Sequence, residues 1–160
     1  MLRRGFTIVE LIIVITVMGI LLILGVVNLS SSQVSSRDAE RKSDIETIAM
    51  HLETYYNSGT DGSTTIGEYP SADEINVLAN QTKILRDIDP RALSAPGQTG
   101  SSLSAQHLFS GIDINKYIYN PISIGGTYCQ YEYQECSRYR LYYKLESGTK
   151  EIITFTSKNQ

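Results

Sequence analysis

Three regimes of hydrophobic patterning follow one another along the 160 residues. From Phe6 to Leu29 apolar side chains dominate on every side, with no polar face set aside. A helix of that length, at about 1.5 Å per residue, spans about 36 Å and covers a hydrocarbon core of about 30 Å. Further on, Ile45, Ile48, Ala49, Leu52, Tyr55 and Tyr56 recur at the three- and four-residue intervals of one helical face. From Lys116 the period falls to two: "KYIYNP", "TYCQYEYQ", "RYRLYYKLE" and "EIITFTS" are β-branched and aromatic runs parted by turn signals such as Gly125-Gly126 and Ser147-Gly148. This pattern predicts a small antiparallel sheet of three to four strands in residues 116–160, packed on Ile45, Ile48, Leu52 and Tyr56.

Between these regimes the chain is less periodic. Projected backwards, the helical face meets Lys42, Arg41 and Asp38, so "SRDAERKSD" reads as a solvated or subunit-contacting neck within a polar helix over 30–57. Its charges are expected to pair along the helix, for example Asp38 with Lys42. Gly19, Gly25, Asn28 and a serine triplet weaken helix propensity between Gly19 and Ser32, although lipid would keep the backbone hydrogen-bonded there. Glycines and Pro70 in "NSGTDGSTTIGEYP" end the helix. Residues 58–115 read as a variable segment, with a short helix in "SADEINVLANQ" capped by Ser71 and a loop in "DIDPRALSAPGQTGSSLS". Asp87, Asp89 and Asp113 have no calcium-loop spacing and read as solvated surface.

Arg3 and Arg4 precede the apolar run, and a basic flank stays cytoplasmic, which would place the C-terminal bulk outside. A cleaved secretory signal is one alternative, with "SSSQVSS" imitating a cleavage site, but the run exceeds the usual apolar core of such signals. A plain single-pass anchor is another. Neither explains Glu10, a carboxylate near the start of the apolar run with nothing apparent in its own segment to pair with.

"RRG" followed by "FTIVE" resembles the type IV pilins and pseudopilins, whose short basic leader ends in glycine and is cut before phenylalanine, with a glutamate fifth in the mature chain. The resemblance extends to "RDAERKSDIETIAMHLETYYNSG", "EYP" and the closing "YRLYYKLESG", and is loose after Asn57. It implies a leader over residues 1–5, cleavage between Gly5 and Phe6, N-methylation of Phe6, and a filament-core helix over 6–29. Cleavage would free an α-amino group on Phe6 that a neighbouring subunit offers to Glu10. Such a buried pair adds little net stability, but its loss leaves an uncompensated charge, so it enforces one register.

The fold implied is α+β, a pilin-like lollipop whose long N-terminal helix packs against the small sheet. The function implied is that of a structural filament subunit, made as a membrane-anchored prepilin and polymerised through its helix. A pseudopilin of a type II secretion or DNA-uptake apparatus is the alternative, and a monomeric membrane-anchored extracytoplasmic binding protein a third. The implied partners are prepilin peptidase, identical subunits and minor pilins in a helical filament, an inner-membrane assembly platform, and membrane lipid before assembly. The implied location is the cytoplasmic membrane, N-terminus inside, and then an extracellular filament at the cell surface.

Composition adds limits. With 14 basic and 17 acidic residues the formal charge is −3, so DNA is a possible partner that bulk charge does not indicate. His51 and His107 stand apart, and no catalytic constellation, metal-ligand spacing or cofactor motif is apparent, so no enzyme is expected. Cys129 and Cys136 suit a disulfide across a hairpin outside the cytoplasm, with two free buried thiols as the alternative. Eight of the 11 tyrosines fall between Tyr117 and Tyr143, and Tyr131, Tyr133, Tyr139 and Tyr143 read either as half-buried cross-strand residues or as a ligand surface.

Overall fold

The computed structural model describes residues 5–59, 66–107, 111–148 and 151–159, with the side chains of 26–28 left aside. Arg3 and Arg4, and with them most of the leader, lie outside the described residues. Helix α1 runs from Ile8 to Ser58 and contributes to both compact units of the chain, residues 1–36 and 37–160. In the first unit its apolar side chains are exposed on every side, Leu22 at 68% and Val14 at 44%. The stretch from Gly19 to Ser32 is helical throughout.

In the second unit the predicted stripe is the seam of the core. Ile45, Ile48, Ala49, Leu52 and Tyr55 are buried, and each fully buried aliphatic side chain contributes about 1.5–3 kcal/mol. Helix α1 ends at Gly59, whose φ of 65° is left-handed and whose N–H closes on the Tyr55 carbonyl at 2.7 Å. Helix α2 (Ala72–Asn76) starts in a capping box: Ser71 Oγ accepts from the Glu74 N–H, and the Glu74 carboxylate accepts from the Ser71 N–H. One extended residue, Val77, breaks the expected helix, and α3 follows over Leu78–Ile84. The segment read as loop contains a 3₁₀ turn at Pro90–Leu93, capped by Asp89.

The sheet has four strands in the order β1 (Leu103–Ala105), β2 (Tyr117–Ser123), β3 (Cys136–Lys144) and β4 (Ile152–Thr156). Two corrections to the sequence reading follow. First, the sheet is mixed, because β1 runs parallel to β2 while β2–β3 and β3–β4 are antiparallel. Leu103, Ser104 and Ala105 do alternate, but three residues are too short a run to signal a strand. Being so short, β1 does not reach Pro121, where a residue without an N–H is tolerated, and the Pro121 carbonyl accepts instead from the Cys129 N–H at 3.0 Å.

Second, "TYCQYEYQ" forms no strand. After a single bridge from Ile122 to Tyr128 the chain turns, and the Gln134 side chain accepts from the N–H groups of Gln130 and Tyr131 at 2.7 and 2.9 Å. Local side-chain bonding outcompetes the β preference of the tyrosines there.

Candidate functional site

The N-terminal candidates meet on the first turn of α1. Phe6 is 82% exposed, and a side chain at Gly5 would meet nothing within 4 Å. Glu10 is not without a partner in its own segment, which corrects the sequence reading. Its Oε2 accepts from the Thr7 N–H at 3.0 Å and from Thr7 Oγ1 at 2.9 Å, while its own N–H donates to Thr7 Oγ1 at 3.3 Å. Thr7 and Glu10 therefore form a capping box, two donors of the first turn being satisfied reciprocally. The spacing T-x-x-E in "TIVE" is the sequence signature of this box, a signal that the charge of Glu10 alone does not carry.

The charged face of α1 is also not a solvated neck. Asp38, Arg41 and Asp44 are buried, with Arg41 1% exposed. The Asp38 carboxylate accepts from the N–H groups of Glu146 and Ser147 at 2.8 and 2.9 Å and from Arg41 at 2.9 Å. Arg41 also donates to the Ile114 carbonyl at 3.0 Å, and Arg37 to Glu146 at 2.8 Å. The expected Asp38–Lys42 pair does not form; Lys42 lies 4.0 Å from Glu46 instead. Burial pushes Asp38 up, but the two N–H groups and Arg41 outweigh it and hold its carboxyl below the ordinary range. Further along the helix, burial raises Asp44 to about 6 against the opposing hydrogen bond from Tyr117, with Glu40 adding repulsion. The Tyr117 hydroxyl donates to Asp44 at 2.6 Å and is itself pushed up by burial and by that carboxylate.

The tyrosines divide in two. Tyr117, Tyr119 and Tyr139 are wholly buried, Tyr139 in place of the half-buried position expected for it. Their hydroxyls donate to Asp44, to the Pro70 carbonyl and to Glu53. Tyr143 is buried as well. Tyr131 and Tyr133 are exposed and stacked, with ring centroids 5.3 Å apart. The turn that carries them is closed by a disulfide between Cys129 and Cys136, with a Cα separation of 5.8 Å. Cys129 sits in that turn rather than on a strand facing Cys136, whose paired residue is Ser123.

Among the described residues α1 is long and apolar enough to cross a membrane, and no group of three or more His, Cys, Asp or Glu could hold a metal ion. The apolar helix, its glutamate and its threonine cap coincide with one further finding. Residues 1–26 match the family model of the prokaryotic N-terminal methylation motif. This motif is the class III signal of type IV pilins and pseudopilins.

No curated protein and no solved structure matches the chain. The methylation motif, over these 26 residues, supports a type IV pilin- or pseudopilin-like precursor, of the kind that a prepilin peptidase processes for assembly into a pilus-like filament. The apolar helix and the motif together are consistent with a membrane-anchored precursor of an extracellular filament. The α+β architecture, a long N-terminal helix with a small mixed sheet, agrees with that class.

Proposed function

We propose that the protein is a structural, non-catalytic subunit of a type IV pilus-like filament, cut between Gly5 and Phe6, methylated on Phe6, and polymerised through its N-terminal helix. The observation that carries this reading is the methylation motif over residues 1–26, set on a helix whose apolar side chains stay exposed on all sides. Exposed apolar surface of that extent requires lipid or other subunits to cover it. In this reading Glu10 serves twice. Before assembly Thr7 holds its carboxylate; in the filament the Phe6 amine of a neighbouring subunit becomes its counter-charge. Identical subunits, minor pilins and an assembly platform in the membrane are the partners.

Shearing cells and assaying the released filaments tests the reading. The chain should be recovered there in its mature form, as a major component. Recovery only in the membrane fraction, with secretion or DNA uptake lost on deletion, would replace it with the pseudopilin alternative.

A further inference from the structure

The sheet turns one face to the main core and leaves much of the other to solvent. Tyr119, Tyr139 and Leu141 point inward, so the alternating residues Asn120, Ile122, Arg138 and Arg140 share the outer face. Asn120 stands opposite Arg140, and Ile122 opposite Arg138. With His107 and Tyr128 they line a concavity of about 300 Å³. The Asn120 amide is fixed there, donating to the Gln106 and His107 carbonyls at 3.0 and 3.2 Å. The rings of His107 and Tyr128 meet edge-on, 4.9 Å between centroids. Among the described residues no carboxylate lines this concavity; Asp73 lies in the adjoining hollow, beyond Tyr128. Neither arginine is drawn into an ion pair with a described residue. Two like charges side by side on one strand repel, and no counter-charge among the described residues compensates them.

We propose that this concavity binds a single-stranded polynucleotide, with a phosphate at each of Arg138 and Arg140 and a base against the corner formed by His107 and Tyr128. Residues two apart on a strand stand about 6.6 Å from each other on one face, a spacing that lets each guanidinium take its own phosphate on an extended strand. The guanidinium fork matches phosphate oxygens, and an aromatic wall accepts any base on its π-face. A carboxylate polymer would engage the arginines and leave the aromatic corner unused. The overall charge of −3 does not oppose this, because the contact is local. Two phosphate contacts make binding by one copy weak; repetition of the site along a filament would strengthen it by avidity. The inference does not depend on the filament reading, since a single chain carries the whole site.

The test uses the full chain in detergent and a fluorescein-labelled oligothymidine of about 12 nucleotides, within the usual site sizes, with anisotropy read over a series of salt concentrations. Saturable binding is expected, with log K falling as log salt rises. The double variant Arg138→Gln/Arg140→Gln should lose about tenfold or more in affinity at low salt, and its salt slope should fall by about 1.4, or about 0.7 per phosphate. Arg138→Lys/Arg140→Lys should keep the slope, which separates loss of charge from loss of fold. Tyr128→Leu should weaken binding without changing the slope, and Arg86→Gln, in a different concavity, should do neither. Absence of oligonucleotide binding, an unchanged slope in the glutamine variant, or equal displacement by polyglutamate or by inorganic phosphate at the same charge concentration would each overturn the assignment.

Discussion

At the scale of single residues, the local role of Glu10 and its proposed role between subunits are separable. Glutamine closes a capping box as glutamate does, because its amide oxygen still accepts from the Thr7 N–H. Glu10→Gln should therefore keep the first turn of α1 and be cleaved normally, yet fail to assemble, because only the charge is missing. Filament yield from sheared cells reads this out, and wild-type yield from Glu10→Gln would reduce Glu10 to a helix cap. Asp44 supports a prediction in pH. Its carboxyl is raised to about 6, so its contribution to stability is complete below the ordinary value near 3.8 and is lost as pH rises through about 6. Asp38 works in the opposite sense, since a lowered carboxyl stabilises above its ordinary value and weakens as pH falls. Asp44→Asn keeps an acceptor for the Tyr117 hydroxyl and removes the cost of ionisation. With partial solvent contact discounted, it should stabilise by about 1 kcal/mol at pH 8 and progressively less towards pH 4. Thermal unfolding at the two pH values checks this; an equal gain at both would remove titration as the cause.

At the scale of elements, the charged turn of α1 shows where sequence patterning stops being informative. Apolar character alone places Asp38 and Arg41 in solvent. What buries them is the turn after β3, whose backbone N–H groups lie 108 and 109 positions away and carry no sequence signature. The stripe from Ile45 to Tyr55 and the Ser71 capping box were legible because their partners are near in sequence or strictly periodic. β1 was not, because three residues cannot display a period. The buried pair gives a sharp contrast between neighbours. Arg41→Met should destabilise by about 3 kcal/mol, since it breaks the link from α1 to the Ile114 carbonyl and leaves Asp38 short of a counter-charge. Lys42→Ala, one position on and solvent-exposed, should change stability by less than about 0.5 kcal/mol. Comparable losses from the two in urea unfolding would restore the solvated neck. The disulfide closes a short loop, so Cys129→Ser/Cys136→Ser should cost about 2–3 kcal/mol and loosen the turn carrying Tyr131 and Tyr133.

At the scale of the whole molecule, two kinds of surface coexist in one chain. The second unit buries most of its apolar residues and, among the described residues, satisfies its buried side-chain polar atoms except Ser104 Oγ, whereas the described apolar side chains of α1 from Ile8 to Leu29 are exposed. Such an element is stable in water only when something else covers it, which makes lipid and then neighbouring subunits part of the fold's completion. The apolar run and the motif around Gly5, Phe6 and Glu10 were legible because length, composition and register occur together within 26 residues. The outer sheet face with Arg138 and Arg140 was not, because which residues share a face depends on register and on the turn that displaces "TYCQYEYQ" from the sheet. The central claim is that the chain matures as a prepilin, and intact-mass and N-terminal sequencing of the protein recovered from cells tests it most directly. The account predicts a chain beginning at Phe6 whose α-amino group carries one methyl group, and an uncut precursor when Gly5 is replaced by valine. A mature chain beginning near Ser31, or one still beginning at Met1 in cells with an active prepilin peptidase, would contradict it.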